Sequence, residues 1–277
     1  MNRPPSRPSS RLSPRIHILL TLLTAFPALV SAGAWPLKPG AGKATLGVSY
    51  LTAQSVIDAH GDKRKFAMTE TEVTTYGEVG LVRRVSLGWT WGVLKAVDSD
   101  SGDQVANTDP ELALSWNIGK RGSWVLALQA LGQIPLGPEN PGKVPAYAPV
   151  FFSQQAFAFE LRPLVGWTGG GWWAQAGMGG RIRSGDLAGQ FRYTAAAGRG
   201  FGESFSGLFA LDGVLPLDDG RSGKPGDQEQ YYGYHLAADF RLWREWQIGT
   251  QFDSMLTLGQ ELPFGTRFNL YTRFSWH

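Results

Sequence analysis

The chain has 277 residues, with 26 Lys and Arg against 23 Asp and Glu, 36 Gly, 11 Trp and no Cys. The length suits one large β domain or two small ones, the missing cysteines exclude a disulfide-stapled fold, and the near balance of charge offers no basic surface to nucleic acid. Beyond the first thirty positions no apolar run approaches the roughly 18 residues that a membrane helix needs.

The N-terminus is a block of its own. Arg3, Arg7, Arg11 and Arg15 precede a mostly apolar stretch from Ile16 to Val30, and no carboxylate interrupts them. Val30-Ser31-Ala32 and Ala32-Gly33-Ala34 both supply small residues at which an export leader is cut. Residues 1–34 are therefore expected to be a signal peptide and residues 35–277 the exported domain. Without residues 1–34 the balance becomes 22 basic residues against 23 acidic, a net charge of −1.

After a lead-in at 35–42, strand-like segments follow at 43–55, 70–82, 85–97, 109–119, 122–134, 153–166, 171–183, 190–199, 203–215, 229–242, 245–258 and 264–276. About twelve strands result, the even number expected of a bacterial single-chain barrel. The connections carry more information than the strands. Arg83-Arg84, Lys120-Arg121, Thr168 to Gly170, Gly200 to Gly202 and Arg244 are tight. They alternate with longer stretches at 56–69, 98–108, 135–152, 184–189, 216–228 and 259–263. A meander barrel with short turns at one end and long loops at the other has this parity, and a soluble sandwich has no reason for it. Trp35, Trp116, Trp124, Trp167, Trp172, Trp173, Trp243, Trp246 and Trp276 cluster near the chain ends and short turns. Tyr147, Phe151, Phe152, Phe191, Tyr193, Tyr231 and Tyr232 cluster at the other end. Two aromatic girdles at two membrane–water interfaces are expected.

Successive strand side chains point to opposite faces. In the last strand Phe268, Leu270, Thr272, Phe274 and Trp276 share one face, and Arg267, Asn269, Tyr271, Arg273 and Ser275 the other. The sets Val85, Leu87, Trp89, Trp91, Val93 and Leu112, Leu114, Trp116, Ile118 behave like the first of these, as do Trp124, Leu126, Leu128 and Phe157, Phe159, Leu161 and Trp246, Ile248, Thr250, Phe252. The expected fold is an all-β transmembrane antiparallel meander barrel. A mid-membrane Arg or Lys on the lipid face costs about 2–4 kcal/mol, so charges belong in the lumen. The expected lumen-lining residues are Glu72, Glu78, Glu111, Glu160, Arg162, Arg192, Asp212, His235, Asp239, Arg241, Asp253, Arg267 and Arg273. Pro163 disturbs the sixth segment, since proline gives no ladder donor; a bulge or a turn-proximal position is expected there.

Little reaction chemistry is legible. The expected mature chain holds only His60, His235 and His277, and no His–Ser constellation accompanies them. Asp98, Asp100 and Asp103 lack the distal glutamate of a calcium loop. Gly169, Gly170 and Gly171 precede no helix that could bind phosphate. No enzyme, metal or cofactor is expected. The loop 135–152 carries Pro135, Pro138, Pro141, Pro145 and Pro149 and is expected to fold over the barrel mouth, with Tyr147, Phe151 and Phe152 as its apolar contacts.

Asn107-Thr108-Asp109-Pro110-Glu111-Leu112-Ala113-Leu114, followed by a strand ending Ile134-Pro135-Leu136-Gly137, resembles XagA-like outer-membrane proteins and the wider group of channels of meta-pathway phenol degradation. The start near Ala34-Trp35, followed by Pro and Gly, is similar too. The resemblance implies a bacterial outer-membrane channel for small solutes, with organic and aromatic compounds the leading cargo. A structural or secretion-associated barrel with a closed lumen, serving for example exopolysaccharide export, is the alternative. The implied partners are outer-membrane lipid, a small-molecule solute and the barrel-assembly machinery acting on the C-terminal strand.

Overall fold

The computed structural model describes residues 33–57, 63–99, 104–136, 156–185, 187–217, 231–257 and 263–277. The strands are β1 (Gly42–Ile57), β2 (Lys63–Val82), β3 (Val85–Ser99), β4 (Gln104–Ala106), β5 (Glu111–Arg121), β6 (Trp124–Gln133), β7 (Ala158–Gly169), β8 (Trp172–Arg183), β9 (Gln190–Phe201), β10 (Phe205–Pro216), β11 (Tyr231–Arg241), β12 (Trp246–Thr257) and β13 (Pro263–Trp276). Twelve of them form one antiparallel sheet that closes on itself, with each strand beside its sequence neighbour and β13 against β1. β4 is a short addition to the loop end of β3. Closure leaves no free edge, which is what a sheet needs in a medium that cannot hydrogen-bond to it.

The wall is polar inside and apolar outside. On β5, Leu112, Leu114, Trp116 and Ile118 are exposed while Ala113, Ser115 and Asn117 are buried. On β7 Phe159 and Leu161, and just before it Phe157, are exposed beside buried Glu160 and Arg162. Across the closing seam, Phe268 and Phe274 face out, whereas Ser49 and Asn269 are fully buried. This inverts a water-soluble protein, so the strands span a membrane. No helix among the described residues is long and apolar enough to cross one.

Aromatic rings cover glycines directly across the ladder. Trp89 lies over Gly77, Trp173 over Gly198, Tyr193 over Gly213, Tyr271 over Gly249 and Trp276 over Gly42, and a Cβ at any of these glycines would meet the ring. The paired glycine leaves a flat bed where a strand must coil, and the ring fills it.

Several expectations need correction. Pro163 makes no bulge and is not near a turn. It sits in mid-strand with its ring facing outward, its pairing with Leu128 of β6 is kept, and only the rungs to β8 at 162 and 163 are missing. Val93 does not continue the outward face of β3. Thr74 pairs with Gly92 and Val73 with Leu94, so Val93 is the extra residue of a bulge. Leu94 therefore points out, 45% exposed, and Lys95 points in, 9% exposed. Trp35 and Trp173 do not join the girdle. Their rings meet edge to face inside the barrel, 6.2 Å between centroids. The turns expected at Lys120-Arg121, Thr168 to Gly170 and Gly200 to Gly202 fall at 122–123, 170–171 and 202–204, and Gly122 takes φ 58°.

Candidate functional site

The segment before β1 runs into the lumen at the turn end. Ala34 is 1% exposed and packs against Val125, Ala127 and Leu164. Its N–H donates to Gln175 Oε1 at 3.0 Å, and its carbonyl accepts from Asn117 Nδ2 at 3.2 Å. Leu37 N–H donates to Ser86 Oγ at 3.4 Å. Gly40 N–H donates to Gly80 O at 2.8 Å, and Trp276 Nε1 donates to Gly40 O at 2.8 Å, which ties the segment to both sides of the β1 seam. Gly80 and Gly166 receive it, since a Cβ at Gly80 would meet Lys38 O and one at Gly166 would meet the Trp35 indole.

Between this segment and the wall lies a cavity of about 360 Å³. Trp35, Leu37, Trp173 and Leu208 supply apolar walls, and Lys43, Glu78 and Arg273 supply charge. Lys43 Nζ lies 3.1 Å from Glu78 Oε2, while Glu78 Oε1 is buried with no hydrogen-bond partner. A second hollow of about 440 Å³, floored by Ala174, Ala176, Ala195 and Ala197, opens on the outer wall and belongs to the lipid side.

Nearer the loop end the inner wall carries three charged clusters. Glu160, fully buried, accepts from Arg162 Nε at 2.7 Å and pairs with Arg192 at 3.2 Å and Arg181 at 3.3 Å. Arg181 also pairs with Glu111. His235 has Asp253 Oδ1 at 2.7 Å from Nδ1 and Asp212 Oδ1 at 2.6 Å from Nε2, and Asn269 and Gln251 donate to Asp253. Glu70 lies 2.9 Å from Lys95 and 2.8 Å from Arg267. Lower down, Asp239 accepts from Tyr271 and, at 3.5 Å, from Ser206 Oγ, and Arg273 is 3.9 Å away.

The expected lumen residues Glu72, Glu78, Glu111, Glu160, Arg162, Arg192, Asp212, His235, Asp239, Asp253, Arg267 and Arg273 all lie on inward faces. Arg241 shares the face of His235 and Asp239 but ends β11 and is exposed at the turn rim. The mouth-loop candidates Tyr147, Phe151 and Phe152 lie outside the described residues. His235 is held by carboxylates on both sides.

No family model and no curated protein matches the sequence. Solved structures do match the fold. The chain is similar to the COG4313 outer membrane channel from Pseudomonas putida F1, with a TM-score of 0.70 at 14% identity over 90% of this chain and 100% of that one. It is similar to the NanC porin, with a TM-score of 0.55 at 8% identity over 83% of this chain and 98% of that one. It is also similar to the KdgM porin in complex with disordered oligogalacturonate, with a TM-score of 0.51 at 6% identity over 84% of this chain and 99% of that one. At these identities the likeness shows the fold, a twelve-stranded barrel of outer-membrane type.

Sequence reasoning missed several members of the clusters. Glu70 shares the face of Glu72 and Glu78, and Arg181 shares that of Gln175, so strand parity alone could have found both. Lys95 was out of reach of parity, because the bulge at Val93 reverses the faces beyond it. Trp35 carried no alternation to read, since the segment it belongs to is not a strand.

Proposed function

We propose that this chain is a bacterial outer-membrane channel for small organic solutes, with the N-terminal segment narrowing its lumen at the turn end. The observation that carries the reading is the cavity beside that segment. Aromatic and aliphatic walls meet three charged groups in an otherwise polar lumen, the composition of a site for a small molecule with an apolar body and a polar handle. The apolar outer wall supports the membrane location, and the likeness to channel and porin folds supports passage. The narrower likeness to XagA-like proteins and to phenol-degradation channels rests on the short motifs at 107–114 and 134–137 and points to aromatic cargo.

A second reading is favoured by the ion pairs. Glu160 alone meets three arginines, and a lumen closed by such pairs would suit a structural or secretion-associated barrel. Planar-bilayer recording separates the two. The full chain should conduct weakly, and a chain lacking residues 33–37 should conduct more and swell solute-loaded vesicles faster. If neither form passes ions or solutes while both fold as heat-modifiable barrels, the channel reading fails and the closed barrel stands.

A further inference from the structure

The N-terminal stretch offers two peptide bonds to an export peptidase, after Ala32 and after Ala34. From the place of Gly33 and Ala34 in the lumen we infer that the leader is removed after Ala32, so that the mature chain begins at Gly33. The inference rests on the reading of that stretch as a leader and is independent of what the channel carries.

Ala34 belongs to the folded barrel. Its side chain is enclosed by Val125, Ala127 and Leu164, and both of its backbone polar groups are used, one on Gln175 and one on Asn117. Cutting after Ala34 would remove all of this. It would leave Asn117, 8% exposed, without the acceptor that Ala34 provides, and would empty the Ala34 site in the apolar cluster. It would also turn the backbone nitrogen of Trp35 into a charged ammonium beside that cluster, where an unpaired charge is unfavourable. Cutting after Ala32 does none of this. Gly33 is half-buried and borders the cavity. The ammonium created there enters a space that Glu78, with one carboxylate oxygen unpartnered, also lines. Position 33 suits glycine, because a Cβ would come 3.1 Å from Gln175 Oε1. The sequence rule allows this bond, with Val30 and Ala32 at the third and first positions before it, and it allows the bond after Ala34 as well, so the fold decides between them.

The test is expression of the whole chain with its own leader in a Gram-negative host, followed by intact-mass measurement and N-terminal peptide sequencing of the outer-membrane fraction. The expected first residue is Gly33. A mature chain starting at Trp35, or at any other residue, overturns the inference, and a chain still carrying Met1 overturns the leader reading itself. Two variants test the bond independently of folding, since processing precedes barrel assembly. Ala32→Arg should accumulate uncut precursor, whereas Ala34→Arg should be cut at the usual bond. The reverse pattern, or unchanged processing of Ala32→Arg, overturns the inference.

Discussion

Lys95 Nζ lies 2.9 Å from Glu70 Oε2 across the β2–β3 ladder, and the bulge that takes Val93 out of the ladder keeps Lys95 on the inward face for that contact. Both partners are nearly buried, and Glu70 also holds Arg267 through its other oxygen. Removing the carboxylate charge takes the nearest anion from two cations. Glu70→Gln should lower barrel stability by about 3 kcal/mol, read as a lower urea midpoint for the barrel in lipid vesicles. A midpoint equal to the parent's would mean that lumen water screens both cations fully.

Deleting Val93 should be tolerated. Gly92 and Leu94 already pair with Thr74 and Val73, so the deletion makes them neighbours in a regular ladder and leaves Leu94 facing lipid and Lys95 facing the lumen. The heat-modifiable band should stay at the parent level. Loss of that band would show that assembly needs the bulge itself, beyond the facing it allows.

The Asp212–His235–Asp253 cluster predicts strong non-additivity. With a carboxylate oxygen within 2.7 Å of each ring nitrogen, His235 bridges two acids that otherwise face each other across β11. His235→Ala should cost about 3 kcal/mol, because it leaves both acids without the bridging group. Adding Asp212→Asn should recover part of that loss, since one of the two negative charges is gone. Unfolding midpoints of the two single variants and the double variant decide the matter. Simple additivity would deny the coupling.

Gly249 should be intolerant of alanine while Gly119 is not. A Cβ at Gly249 would come 2.3 Å from Tyr271 Cζ, and that ring is anchored by its hydroxyl on Asp239. The ring cannot move aside without giving up the bond, so Gly249→Ala should cost about 1–3 kcal/mol. At Gly119 nothing lies within 4 Å of the added atom, and the change there should stay within about 0.5 kcal/mol. Equal thermal midpoints for the two variants would remove the packing role assigned to Tyr271.

Strand existence and facing were legible wherever the wall is regular. The alternation in Phe268 to Trp276, in Leu112 to Ile118 and in Phe157 to Leu161 places lipid on one side and water on the other, and these residues face as that pattern says. The alternation of short and long connections placed all turns at one end, because a closed meander has only two ends to use. Those features depend on residues near each other in the chain, so the amino-acid sequence by itself determines them. Other features depend on partners far away in the chain, and only the tertiary structure decided them. Arg181 meets Glu111 from 70 positions away, and Arg267 meets Glu70 from 197 away, because barrel closure and strand stagger choose which inward side chains become neighbours. One unpaired residue at position 93 reverses the faces beyond it. Trp35 rests inside because Gly166 leaves room for its indole and Trp173 offers its ring edge to edge-to-face contact. A period of two says which way a side chain points; only register, stagger and the space left by distant glycines say what it meets there.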